Sequence, residues 1–138
     1  MAYWLFKTEP EAWSWDQQKA KKGAEPWSGV RNWQAARNMK EMKKGELGFF
    51  YHTGDEKQIV GIVTVTGEYR KDPTDETGKF GLVEVTYKED FKRPVTLAEI
   101  KADARFKDMV LVKVSRLSVQ PVTPAHWKML CKMGGAKG

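Results

Sequence analysis

Among its 138 residues the chain has one cysteine, Cys131, and two histidines, His52 and His126, far apart. A lone cysteine cannot close a disulfide within the chain, and no Cys/His cluster has metal-site spacing. No metal and no cofactor are therefore expected. Long apolar runs are missing as well. Tyr3-Trp4-Leu5-Phe6 meets Lys7 after four residues, too short for a signal-peptide core. No later run approaches the roughly 20 residues that span a bilayer. These absences predict no membrane partner and a reducing compartment, the cytosol or nucleoid. Repeats and low-complexity tracts are absent too. One domain over residues 1–138 is expected, with 134–138 as a flexible tail.

What is present is basic charge and indole. The formal net charge is +6, and it is unevenly spread. Residues 1–45 carry nine Lys/Arg against five Asp/Glu, residues 46–108 carry ten against thirteen, and residues 109–138 carry five and no acid. If the two basic ends meet in the fold they form one positive face, the usual footprint of a nucleic-acid partner. Otherwise the charge serves only solubility. Six tryptophans exceed what one small core requires.

The pattern predicts a short first strand over 3–7, then a helix from about Trp15, capped by Ser14 with Gln17 in a capping box. Residues 23–27 form a loop. A second helix starts near Arg31 or Asn32 and ends before Gly45. Strands at 49–52 and 58–67 flank the hairpin punctuation Thr53-Gly54-Asp55-Glu56-Lys57. Residues 68–81 read as a long exposed connection. Val83, Val85 and Tyr87 alternate with polar residues as a half-buried strand, and Thr96 with Glu99 caps a further helix. Val110, Val112 and Val114 are expected on one side of a strand. Thr123-Pro124 opens a last helix that Gly134 ends, and Cys131 packs within it. The fold class is α+β, a curled, mostly antiparallel sheet with peripheral helices.

The stretch Glu25 to Asn38 concentrates the chemistry. Trp33, Arg37, Lys40 and Lys44 follow i, i+4, i+7, i+11 and lie on one helical stripe, opposite Ala35, Met39 and Met42. An indole among cations can stack a base and hold its phosphate. Gly29 allows close backbone approach, and the helix N-terminus near Arg31 and Asn32 suits an anion. Asn32 and Asn38 each carry the donor and acceptor needed at a base edge. Trp27, beside Pro26 and the Ser28-Gly29 turn, is a core plug or a pocket wall.

Several ordered motifs are specific: YWLFKTEPE, WSWD, WSGVRNWQAARNMKEMKKGE, GFFYHTGDEKQIVGIVTV and RLSVQPVTPAHW. From Tyr3 to about Met133 the chain resembles the EVE domain family. The resemblance implies a PUA-like pseudo-barrel, related to YTH domains that recognise N6-methyladenosine. It also implies a partner in DNA or RNA carrying a modified base, methylated or hydroxymethylated. On the YTH pattern, Lys7-Thr8 resembles the end of the first strand and Trp27-Ser28 the Trp-Ser pair of the pocket. Trp33, Phe50 and Tyr51 are candidates for the remaining walls, with Asn32 and His52 at the edge. Gly29, Arg31, Arg37 and Lys40 are the candidate phosphate contacts.

Two other classes stay open. Lys7, Thr8 and Glu9, with His52, could act as base, nucleophile and acid, as in a small ASCH-like amidohydrolase acting on modified nucleosides. Exposed aromatics could instead dock a protein partner.

Overall fold

The computed structural model describes residues 1–138. Alternating apolar residues build its centre. β1 (Tyr3–Thr8) turns Trp4 and Phe6 to one side and Leu5 to the other. β3 (Leu47–His52) does the same with Phe50 against Phe49 and Tyr51. With β2 (Glu25–Pro26), β4 (Gln58–Lys71), β5 (Gly81–Thr96) and β6 (Val119–Val122) they form a single sheet, ordered β2-β5-β4-β3-β1-β6. Only the β1–β3 pair is parallel. Register shifts at Phe50/Tyr51 and at four places along the β4–β5 ladder curl the sheet.

Both faces are buried. On one, α2 (Trp33–Glu41) sets Ala35 and Met39 against Phe6, Phe50, Val63 and Val83, and Trp15 and Trp27 join the same cluster. On the other, α5 (Pro124–Gly134) sets Trp127, Leu130 and Cys131 against Phe49, Ile62 and Phe91, with the Trp127 ring stacked on Phe49 at 3.9 Å. α1 (Trp15–Ala20) carries the expected Ser14–Gln17 capping box, and α3 (Leu97–Ala102) the Thr96–Glu99 box. Gly61 is required by contact: a Cβ there would lie 2.1 Å from the Trp15 ring.

Three expectations are corrected. Val110–Lys113 is a helical turn, α4, with Leu111 buried and Val114 48% exposed. A short continuous apolar run does not separate strand from helix, and β6 already takes the free edge of β1. The exposed connection is shorter than 68–81, because β4 extends to Lys71 and only 72–80 is turn. The α5 helix ends at Gly134 as expected, so the tail starts one residue later than 134, at Gly135, whose φ of 70° makes it the left-handed cap. Beyond it, the amides of Lys137 and Gly138 donate to Glu89.

β6 pairs with β1, and α2 packs on β6, where the Asn38 side-chain amide donates to Val119 O at 2.8 Å. The basic N-terminal third and the acid-free last thirty residues therefore adjoin. No helix is long and apolar enough to cross a membrane.

Candidate nucleic-acid interface

At the end of β1 the chain turns back on itself. The Ala12 and Trp13 amides both donate to Glu9 O, and Thr8 Oγ1 donates to Trp13 O at 3.0 Å. Trp13 is held from its far end, its indole N–H donating to the buried Gln18 Oε1 at 2.9 Å. Opposite, β2 pairs with β5, and the Trp27 amide donates to Val83 O at 2.8 Å. The Trp27 ring, 8% exposed, meets Phe6 edge-on at 5.3 Å and Phe50 at 5.7 Å. Between these two anchored indoles lies a cavity of about 280 Å³, lined by Thr8, Ala12, Trp13, Glu25, Pro26, Trp27 and Ser28. That is near the lower end of small-molecule sites, roughly 300 Å³.

Thr8, Trp27 and Ser28 thus come together on one lining. Phe50 stands behind Trp27 and is fully buried. Lys7 and Tyr51 do not join them, because neighbouring strand residues face opposite sides of a sheet. Lys7 Nζ donates to Ser115 O at 2.6 Å and lies 5.6 Å from the Tyr51 ring. Burial lowers the Lys7 ammonium from its ordinary pKa and pushes the Tyr51 phenol up to about 12. Glu9 leans towards Gly54 in a separate cleft. Lys7, Thr8 and Glu9 therefore diverge.

His52 lines a neighbouring cavity of about 340 Å³ with Trp15, Glu56 and Asp90. Its Nε2 accepts from the Trp15 amide at 3.0 Å, which leaves Nδ1 to carry the proton donated to Glu56 at 2.8 Å. Asn32 is the N-cap of α2, its Oδ1 accepting from the Ala35 amide at 2.9 Å, and Asn38 is buried against β6. Trp33 lies outside the cavity. It is 56% exposed and rests on Phe80, ring centroids 4.5 Å apart.

Gly29, at φ 82°, donates its amide to Asp72 Oδ2 at 2.8 Å, and Arg31 Nη1 donates to the same oxygen at 3.1 Å. Arg31 Nη2 also donates to Thr74 Oγ1. These groups tie the Trp27 loop to the β4–β5 turn. Burial alone would raise the Asp72 pKa. Hydrogen bonds from the Thr74 hydroxyl, the Gly29 and Thr74 amides and Arg31 outweigh it and hold the carboxyl at about 2. Arg37 donates only to Gln34, and Lys40 lies 5.5 Å from the Tyr69 ring; neither meets a carboxylate.

Sequence reasoning missed Trp13, Glu25 and Asp72. Trp13 stands in the sequence only within the WSWD motif, with nothing that sets it apart from Trp15. Glu25 and Pro26 stood beside Trp27 as loop residues, without the two-residue strand that aims them. Asp72 is forty-three positions from its Gly29 partner, and no local pattern marks it.

A curled six-stranded sheet with helices on both faces defines a PUA-like architecture. The chain belongs to the EVE domain family, whose model matches residues 2–133. A protein of Agrobacterium tumefaciens is 45% identical in its crystal structure, with a TM-score of 0.96 over 99% of this chain and 94% of that one. Human thymocyte nuclear protein 1 is 32% identical over 165 residues, 96% of this chain and 73% of that protein. The crystal structure of human THYN1 in complex with 5-methylcytosine-containing DNA superposes with a TM-score of 0.92 at 29% identity, covering 100% of both chains. An ASCH protein of Zymomonas mobilis, 11% identical over 97% of this chain and 96% of its own, has a TM-score of 0.61 and shares the fold alone.

Proposed function

We propose that this chain binds a modified base, methylated or hydroxymethylated, presented by DNA, with RNA as the other strand to be tested. The observation that carries the reading is the cavity between Trp13 and Trp27, with polar Thr8, Ser28 and Glu25 on its lining. The likeness over the whole chain to human THYN1 in complex with 5-methylcytosine-containing DNA supports it. The base leaves its stack and packs on an indole, a contact worth about 1–3 kcal/mol. A methyl group buried there adds about 0.8 kcal/mol, roughly a fourfold preference. Arg37 and Lys40, without carboxylate partners, hold phosphates outside, and exposed Trp33 stacks a flanking base. The module binds rather than catalyses, since Lys7, Thr8 and Glu9 each face a different partner. A cytosolic or nucleoid location accompanies such a ligand.

The test is tryptophan quenching by short oligonucleotides with and without 5-methylcytosine, 5-hydroxymethylcytosine or N6-methyladenine. Trp27→Ala and Trp13→Ala should each abolish the preference for the modified base. Trp27 also packs on Phe6 and Phe50, so half-buried Trp13 supplies the readout if the Trp27 variant unfolds. Intact preference in folded variants of both would remove the pocket assignment.

A further inference from the structure

The polar groups of the cavity are unequal in kind. Of its seven lining residues, only Glu25 is charged. Pairing of Glu25 with Val85 across β2 and β5 fixes its backbone. The Lys21 ammonium donates to Glu25 Oε1 at 2.7 Å, and no protein group donates to Oε2. The side chain retains 22% exposure. Thr8 has committed its hydroxyl proton to the Trp13 carbonyl, so towards a ligand its oxygen can only accept. The Trp27 and Ser28 amides are spent on Val83 O and Pro26 O. What remains is a site rich in acceptors, with the Ser28 hydroxyl as its one adaptable donor.

We infer that Glu25 discriminates between pyrimidines by accepting a hydrogen bond from the exocyclic N4 amine, so that a cytosine-type base is taken and thymine is rejected. The inference rests on the base-binding reading above. 5-Methylcytosine and thymine share ring and methyl, and differ where cytosine presents an N4 amine and thymine an O4 acceptor. An indole wall cannot tell them apart, since both rings stack and both methyls bury. A carboxylate can: it accepts from the amine, whereas opposite O4 it faces another acceptor and both groups stay unpaired. Lys21 supports this arrangement by occupying one carboxylate oxygen and leaving the other for the base.

The experiment measures affinity for oligonucleotides identical except for 5-methylcytosine or thymine at one central position, with wild type and Glu25→Gln. Wild type is expected to prefer 5-methylcytosine by about 5- to 150-fold. Glutamine has the same shape but offers an acceptor to N4 or a donor to O4, so E25Q should pull that ratio to within a few-fold of one, mainly by gaining thymine affinity. If E25Q fails to fold, the wild-type ratio still decides: no discrimination against thymine overturns the inference. An unchanged ratio in folded E25Q overturns it as well, while leaving the pocket in place. Failure of wild type to distinguish 5-methylcytosine from any unmodified base, with no quench by any oligonucleotide, removes the pocket reading and this inference together.

Discussion

Replacing Asp72 by asparagine keeps the side chain's shape and removes half of its accepting capacity. In the protein Oδ2 accepts from the Gly29 amide and Arg31, and Oδ1 from the amide and hydroxyl of Thr74. An asparagine NH₂ at either position faces donors with a donor. The carboxylate side chain has no exposed surface, so water cannot repair the mismatch. Losing charge-assisted bonds at such a site costs about 3 kcal/mol, reduced from the upper range because Arg31 is partly exposed. For a domain of this size that lowers Tm by about 10 °C. The folded carboxyl titrates at about 2, below its usual value of 3.8. Its stabilising effect is complete above the unfolded pKa and is lost as pH falls through about 2. In that window the unfolded chain holds more protons, so stability rises with pH, by about 2 kcal/mol in all. Urea unfolding at pH 7 and along an acid series therefore reads both quantities. The gap between parent and D72N should be widest at neutral pH and narrow as acid protonates Asp72. Because Gly29 follows Trp27 and Ser28 directly, binding of a modified oligonucleotide should weaken too. A D72N protein within 0.5 kcal/mol of its parent at pH 7, with an unchanged acid limb, would refute the argument.

Arg37→Ala should weaken binding to every sequence alike and reduce the slope of log affinity against log salt by about one, measured by titration at several salt concentrations. A sequence-dependent loss would place Arg37 at a base instead. Gly61→Ala should destabilise by roughly 1–3 kcal/mol in urea melts, because its Cβ would enter the Trp15 ring; an unperturbed melt would show that Trp15 yields freely.

Much of the fold is readable where the determinants are local. Ser14 with Gln17, Thr96 with Glu99 and Thr123-Pro124 mark helix starts through bonds spanning three residues, and each cap is present. The α2 stripe is equally local as far as the helix runs, and the structure buries Ala35 and Met39 while exposing Trp33 and Arg37, but the helix ends at Glu41 and Lys44 falls beyond it, off the stripe. Determinants acting across the sheet are not readable this way. Phe50 and Tyr51 looked equivalent as neighbouring aromatics, yet pleating sends them to opposite cores. His52 looked like a pocket edge until the Trp15 amide and Glu56 claimed both of its nitrogens. Arg31 looked like a phosphate ligand because Asp72 lies forty-one positions away. The pocket's Trp27-Ser28 pair was legible through family resemblance, whereas its second wall, Trp13, depends on a bond to Gln18 that spacing does not reveal.

On the proposed function, the cavity between the two indoles receives a modified base. The most direct test is the affinity of the unaltered protein for a short DNA carrying one 5-methylcytosine, in competition with the same DNA carrying cytosine. Burial of the methyl group predicts at least about a fourfold preference for the modified strand. Equal affinity for the two strands would contradict the account.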